Sequence, residues 1–247
     1  MEDLTIFDGG KVRRLGCFPR VSQVGDWPCV GQPDAPQLIS RESWGRYAGK
    51  RLDQFAWMVK DQGSQNSCTA ASTQGAVMLA REFAGLDRVE LSQAVPYGLG
   101  NGGRDRGMAI DTALRIMQDT GTVPVKIVKQ YDWKGYSRRT WPENWRETAK
   151  SYRILEAWDC PTHEHLVSAV FRGFPVVFGV YWSLGGGHAI VATGWENGKT
   201  RILNSWGEDW GEGGFGWLPD SQCERGIESF GGWALRVVTD PTNDGQL

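Results

Sequence analysis

Residues 62–84 read Gln-Gly-Ser-Gln-Asn-Ser-Cys-Thr-Ala-Ala-Ser-Thr-Gln-Gly-Ala-Val-Met-Leu-Ala-Arg-Glu-Phe-Ala, a polar loop followed by good helix formers. This composition, closed by Gly85, predicts a helix that begins at or beside Cys68. A helix N-terminus lowers the pKa of a thiol and favours its nucleophilic form. The loop offers backbone N–H groups and the Gln62 amide to a developing oxyanion. Cys68 is therefore a candidate nucleophile; the alternative is a small core residue, because free cysteine is among the most buried residue types.

The pattern around this helix predicts an α+β fold. Further helices are expected over 108–119, 140–150 and 162–172. Short runs rich in Val, Ile, Phe and Trp, separated by turn signals, predict antiparallel strands over 175–182, 188–195, 200–204, 214–218 and 233–238. Helices first and strands later favour a helical lobe, about 60–150, and a β lobe, about 151–239. The cleft between the two lobes is the expected place for a site.

His188 is the candidate base for Cys68. It follows a glycine-rich loop and opens a predicted strand, which is a frequent position for a catalytic side chain. Asn204 ends the next strand, so a hairpin between the two strands places its amide beside the imidazole, where it would fix the ring tautomer. A single histidine at this position would more often have a structural role. The combination of His188 with Cys68 and Asn204 indicates nucleophilic catalysis.

His163 and His165 follow Cys160 at a spacing typical of metal ligands. No second pair of ligands follows them, whereas a zinc site usually has four ligands. We expect these histidines to be polar residues of a helix first turn, and we expect no metal and no organic cofactor.

Composition narrows the class of protein. The chain has 247 residues, with 27 Lys and Arg against 29 Asp and Glu and a formal net charge of −2, so no nucleic-acid partner is expected. The longest apolar run, Pro175–Trp182, is far shorter than the roughly 20 residues of a membrane helix, so no membrane insertion is expected. The first residues resemble no export signal, and five cysteines without close pairs fit a reducing compartment. We expect a cytoplasmic location.

Three segments resemble the motifs of papain-like cysteine peptidases. The segment 59–68, Val-Lys-Asp-Gln-Gly-Ser-Gln-Asn-Ser-Cys, is similar to the segment that carries the family's nucleophile. The segment 186–195, Gly-Gly-His-Ala-Ile-Val-Ala-Thr-Gly-Trp, resembles the histidine strand. The segment 204–215, Asn-Ser-Trp-Gly-Glu-Asp-Trp-Gly-Glu-Gly-Gly-Phe, resembles the asparagine motif with both tryptophans. The resemblance implies a two-lobe papain-like fold, with a helical N-terminal lobe and a β-barrel-like C-terminal lobe, over 37–239.

The resemblance also implies a role for each residue. Cys68 is the expected nucleophile, His188 the general base and acid, Asn204 the residue that orients the imidazole, and Gln62 an oxyanion donor. Trp206 would shield the Asn204–His188 hydrogen bond from solvent. The implied activity is cysteine endopeptidase hydrolysis of a protein or peptide substrate through a thioester.

Substrate-binding residues follow from the same resemblance. Gly102 and Gly103 are similar to the glycine pair that binds an extended substrate as an added strand. Phe230 would floor the pocket for the second residue on the acyl side, which predicts a shallow apolar pocket. The alternative for Phe230 is simple packing in the β lobe. Gly187 removes a side chain that often shapes this cleft.

Departures from the family motifs bear on compartment and regulation. Gln65 and Arg225 stand where cysteines are usual, so the disulfides of secreted members are not expected. Residues 1–36 are rich in Gly and Pro and predict an irregular arm, too short for the family's helical inhibitory prodomain. We expect one of two cases. Either the arm itself plays a short blocking or docking role, or the activity is restrained by the location of the protein or by a partner. Residues 240–247 form a polar tail.

Two other functions remain open on the sequence alone. One is a structural component of a larger assembly, viral or bacterial, that holds the termini; the location would then be virion-associated if viral. The other is an amidase for cell-wall peptides, because a fold and a triad do not set the substrate.

Overall fold

The computed structural model describes residues 5–129, 140–183 and 186–238, with side chains from residue 8. The polar tail therefore lies outside the described residues. The helices are α1 Cys68–Phe83, α2 Ala94–Gly100, α3 Ile110–Asp119, α4 Trp145–Ala149, α5 His163–Phe171 and α6 Asp220–Phe230. Short 3₁₀ helices cover Arg41–Arg46, Asp53–Phe55 and Lys150–Tyr152.

The strands begin in the N-terminal arm and are concentrated after residue 150. They are β1 Thr5–Asp8, β2 Lys11–Arg14, β3 Cys17–Phe18, β4 Met108–Ala109, β5 Ile154–Asp159, β6 Val176–Tyr181, β7 Gly187–Glu196, β8 Lys199–Leu203, β9 Phe215–Pro219 and β10 Gly232–Val237. Six of them form one antiparallel sheet in the order β5-β10-β6-β7-β8-β9.

The expected α+β class is confirmed, whereas the sheet is open rather than barrel-like. Among the described residues, β5 and β9 lie at opposite ends of the strand order and do not pair with each other. Helices cover both faces of the sheet instead, since α1 packs against β7 and β10 while α5 and α6 contact β7 and β6. Apolar burial against helices thus replaces the closure that a barrel would provide.

Helix α1 is the centre of the fold. Every residue from Cys68 to Arg81 is buried, so this helix shows no solvent face over almost four turns. One large apolar cluster joins α1 to the sheet and to α3, whose stripe of Ile110, Leu114 and Met117 faces α1 as the spacing predicts. A second cluster packs α5 and α6 on the sheet. The N-terminal end of α1 is consequently held rigidly against the strands.

The N-terminal arm contains more regular structure than its composition predicts. Strands β1 and β2 form an antiparallel hairpin that turns at Gly9 and Gly10, both with positive φ. Strand β3 pairs in parallel with β4, with Cys17 opposite Met108. The hairpin of β1 and β2 is local, whereas β3 pairs with a strand distant in sequence, which local composition does not show.

Within the described residues, no helix has both the length and the apolar character needed to cross a bilayer.

Candidate active site

Cys68 is the first residue of α1 and is fully buried. Its thiol accepts backbone hydrogen bonds from Ala189, the residue after His188, and from Gly16. Burial raises the pKa of the Cys68 thiol above its ordinary value, while these hydrogen bonds act in the opposite direction. Ser72, one turn along α1, donates to the Ala189 carbonyl at 2.6 Å. The start of α1, which carries Cys68, and strand β7, which carries His188, are therefore held together.

The β7–β8 hairpin brings His188 and Asn204 together as the spacing predicts. Its turn contains Asn197 and Gly198, both with positive φ, as a two-residue hairpin turn requires. The His188 Nε2 atom lies 2.7 Å from Asn204 Oδ1. The same oxygen accepts the backbone N–H of Ser205 at 2.8 Å. An oxygen that accepts from both sides fixes Nε2 as the protonated nitrogen of the ring.

The second ring nitrogen of His188 is the chemically available one. Nδ1 is buried and has no hydrogen-bond partner among the described residues. Burial lowers the pKa of His188 to about 4; the Asn204 hydrogen bond raises it and the positive charge of Arg13 lowers it further. In this conformation the imidazole is neutral near pH 7, and Nδ1 is a proton acceptor.

Gln62 is held by a separate hydrogen-bond network. Its Oε1 accepts from Ser205 Oγ at 2.8 Å and from Trp206 Nε1 at 3.2 Å. Its Nε2 therefore faces the other way and donates to the carbonyls of Gln65 at 2.7 Å and Arg14 at 3.0 Å. A fixed amide donor beside the N-terminus of α1 fits the geometry of an oxyanion hole.

Aromatic rings enclose the His188–Asn204 pair. The Trp206 ring lies 4.9 Å from the His188 ring, centroid to centroid, and is almost fully buried. Trp182 meets the same imidazole edge-on at 5.0 Å, and Trp210 contacts both tryptophans. Sequence reasoning missed Trp182 and Ser205, although Ser205 directly follows Asn204 in the quoted motif.

Comparisons with known proteins agree with the fold. A scan against models of protein families finds no match. The uncharacterized peptidase C1-like protein L477 of Acanthamoeba polyphaga mimivirus is 33% identical over 102 residues, 32% of this chain and 33% of that protein. Cysteine proteinase RD21A of Arabidopsis thaliana is 32% identical over 186 residues, 64% of this chain and 38% of that protein. Xylellain, a cysteine protease from Xylella fastidiosa, superposes with a TM-score of 0.70 at 21% identity, over 91% of this chain and 96% of that structure. The resemblance to the papain-like cysteine peptidases is confirmed.

The chain spans about a third to a half of the length of the first curated relatives it matches. Its papain-like fold covers nearly all of the xylellain structure.

The N-terminal arm occupies the cleft of this papain-like fold. The carbonyl oxygen of Arg14 accepts a hydrogen bond from the Gln62 side-chain amide, and the Gly16 backbone amide contacts the Cys68 thiol. The next residue, Cys17, is almost fully buried, and burial raises the pKa of its thiol well above the ordinary value. The arm is thus part of the site in this conformation.

Phe230 and Gly187 border the position of Cys17. Phe230 is buried and lies against both Gly179 and Gly187, where a Cβ on either glycine would meet its side chain. The Cys17 sulfur lies 3.3 Å from the place of a Cβ on Gly179, and its carbonyl would overlap a Cβ on Gly187. The expected substrate pocket above Phe230 therefore holds the Cys17 side chain.

The glycine pair lies apart from the observed strand pairing. Gly102 is exposed, and the Gly103 N–H donates to Asn101 Oδ1 at 2.9 Å. The arm instead pairs with β4, where the Met108 N–H donates to the Gly16 carbonyl at 3.0 Å. The role of Gly102 and Gly103 stays a prediction, and the backbone of Met108 offers a second edge for an extended chain.

The two remaining histidines lie on α5. His163 Nε2 lies 2.8 Å from Thr200 Oγ1, and His165 Nδ1 lies 2.7 Å from Thr162 Oγ1. Among the described residues, no group of three or more His, Cys, Asp or Glu side chains is placed to bind a metal. Thr162 immediately precedes α5, which begins one residue after the predicted start of this helix, and its hydroxyl contacts His165.

Proposed function

We propose that this chain is a cysteine endopeptidase with Cys68 as its nucleophile. The observation that carries the proposal is the tautomer of His188: with Nε2–H committed to Asn204 at 2.7 Å, Nδ1 is left to accept a proton. Cys68 stands at a helix N-terminus beside Ala189. This pairing of a thiol with an oriented base is the arrangement that nucleophilic catalysis requires.

The reaction uses the residues as follows. The thiol proton passes to His188 Nδ1, and the Cys68 sulfur attacks the peptide carbonyl carbon. The Gln62 amide and the Cys68 backbone N–H stabilise the oxyanion. The C–N bond then breaks as His188 returns its proton to the leaving amine, which leaves a thioester on Cys68. Water, deprotonated by His188, attacks the thioester and releases the carboxylic acid and the free thiol.

We propose a protein substrate that binds as an added strand. Backbone groups at β4 and the apolar pocket above Phe230 support binding of an extended chain with a small apolar side chain in that pocket. All five cysteines, each within the described residues, are free thiols, which supports a reducing compartment.

Labelling with a thiol-directed epoxide inhibitor tests the proposal. Because the arm covers Cys68, the test uses a Gly16→Ala background, in which a methyl group would overlap the Asn66 carbonyl and displace the arm. We expect covalent addition at Cys68 in this background, mapped by peptide mass spectrometry, and its loss on adding Cys68→Ala, together with loss of casein hydrolysis. Cys223→Ala is the matched control, because that buried thiol lies in the helix α6 core and should leave both readouts unchanged. Hydrolysis of peptidoglycan with no hydrolysis of casein would contradict the endopeptidase and favour an amidase.

A further inference from the structure

Asp105 lies between α2 and β4, beside the loop that leads to the nucleophile. Its Oδ1 atom accepts the backbone N–H of Asn66 at 2.8 Å and the Tyr97 hydroxyl at 2.7 Å. The Asn66 side chain donates in return to the backbone carbonyl of Asp105 at 3.1 Å. Asn66 stands two residues before Cys68, so these bonds hold the Asp105 carboxylate against the loop that carries the active thiol.

The two oxygens of the Asp105 carboxylate have different surroundings. Oδ1 accepts both of the bonds that hold the loop, whereas Oδ2 lies 3.6 Å from Nη1 of Arg14. The Asp105 side chain is 18% exposed, so its charge is partly withdrawn from water but still reachable from the cleft. A charge in this setting attracts a cation more strongly than a carboxylate on the open surface does. Oδ2 is therefore the edge of Asp105 that can recognise a ligand.

Arg14 shows which parts of a single residue fit this site together. Its carbonyl accepts from Gln62 Nε2 at 3.0 Å, at the donor that would polarise a scissile carbonyl, and its own guanidinium meets Asp105. One residue can thus place its carbonyl at the oxyanion donor and its positive charge at Asp105. We propose that Asp105 is a specificity-determining residue that selects arginine or lysine as the substrate residue supplying the scissile carbonyl; this inference rests on the proposed function.

The charged neighbours of Asp105 do not cancel this recognition. Arg104 and Arg106 stand on either side of Asp105 in the chain, and both are exposed. Solvent and salt screen the charge of an exposed side chain, whereas a partly buried pair is screened much less. The attraction of Asp105 for a basic side chain in the cleft therefore outweighs the repulsion from its two neighbours.

Asp105 and the apolar pocket above Phe230 read different substrate residues. In the described conformation Cys17 lies against this pocket, while Arg14, three residues away in the chain, meets Asp105. The two places are therefore occupied by separate residues of one extended segment. A substrate can offer a small apolar side chain to one and a basic side chain to the other.

Peptidyl chloromethyl ketones measure this recognition without turnover. The reagent binds like a substrate, and the Cys68 sulfur displaces chloride from its methylene carbon. Two reagents that differ only in the last residue, arginine or glutamine, are compared on Gly16→Ala, in which a methyl group displaces the arm. We expect Cys68 alkylation, followed by mass spectrometry, to be about 10- to 100-fold faster with the arginine reagent, as a hydrogen bond to a charged group provides.

Asp105→Asn in the same background removes the charge and keeps an oxygen that can accept from Asn66 and Tyr97. The preference for the arginine reagent should fall to near one, with the glutamine reagent unchanged, whereas a merely structural Asp105 would lower both rates together. Asp105→Glu should restore part of the preference. Asp119→Asn removes the same charge at the exposed last residue of α3, and this matched control should keep the full preference.

The outcomes separate this inference from the proposed function. Circular dichroism verifies that each variant is folded, and iodoacetamide labelling verifies that Cys68 is accessible. Equal rates with the two reagents, or a preference that survives Asp105→Asn, would overturn the role of Asp105. An arginine preference that disappears in Asp105→Asn, in a chain that hydrolyses neither the arginine nor the glutamine peptide, would support Asp105 and contradict the proposed endopeptidase.

Discussion

Ser205 Oγ donates a hydrogen bond of 2.8 Å to Gln62 Oε1 across 143 residues of sequence. Both side chains are fully or almost fully buried. Because the amide of Gln62 has one acceptor end and one donor end, this bond decides which end faces the cleft. The Nε2–H group is thereby directed at the Arg14 carbonyl, where a substrate oxyanion would form.

Ser205→Ala should therefore impair the oxyanion hole without touching substrate. We expect kcat to fall about tenfold with little change in KM, since a misdirected donor costs stabilisation of the transition state rather than of bound substrate. Steady-state kinetics on a peptide substrate measures the effect, and Ser205→Thr should restore part of kcat. Ser221→Ala, on the exposed side of α6, is the control; a purely structural role for Ser205 would lower the melting temperature and leave kcat intact.

Asn204→Ala should remove the group that fixes the His188 tautomer. Without the 2.7 Å bond at Nε2, either ring nitrogen can carry the proton and the ring can turn. We expect kcat/KM to fall by about 10- to 100-fold. The asparagine bond also raises the pKa of His188, so the acidic limb of the pH–rate profile should move to lower pH in the variant. An unchanged profile together with unchanged kcat/KM would contradict the assigned role.

The sequence predicts the structure correctly where the structure depends on a local pattern. Cys68 at a helix start follows from helix formers after a polar loop, and the His188–Asn204 pair follows from two strands joined by a tight turn. The sequence does not predict the contact between Trp182 and His188, because this contact depends on how β6 and β7 pair.

The N-terminal arm and the open sheet show what local patterns leave out. Arg13–Phe18 is a short segment that mixes two arginines, a glycine and apolar residues, and its place depends on partners such as Asp61, Asn66 and Met108. No periodicity within the arm encodes these partners. Likewise, the sequence of a strand shows its alternation and its length, but closure of a barrel depends on whether the two edge strands of the sheet pair with each other.

Acid should destabilise the fold through two buried histidines. The pKa of His188 and that of His163 are each lowered from 6.5 to about 4 by burial. The unfolded chain therefore binds more protons between these values, and the free energy of unfolding falls as the pH drops through that window. Each histidine should contribute a loss on the order of 3 kcal/mol between pH 7 and pH 4.

Urea unfolding of wild type and His163→Gln at several pH values measures this loss. The glutamine amide can still meet Thr200 but does not titrate, so the variant should show a shallower pH dependence than the wild type. His165→Gln is the control, since His165 is only half-buried and its pKa is lowered less. Identical slopes in wild type and His163→Gln would contradict the assignment of His163 to this window.

Phe230→Ala should change both stability and specificity, because the ring closes the pocket that Cys17 fills. Phe230 is buried, stacks edge-on with Tyr181 at 4.9 Å and lies against Gly187. Removing the ring leaves a cavity, so we expect the free energy of unfolding to fall by about 3 kcal/mol. In a Gly16→Ala background, where a methyl group would overlap the Asn66 carbonyl and displace the arm from this pocket, a peptide library should show a shift toward larger apolar side chains. Phe174→Ala, on the far side of the sheet beside Trp158, is the matched control for loss of an aromatic ring and should keep the original preference. An unchanged preference in Phe230→Ala would assign Phe230 to packing of the β lobe alone.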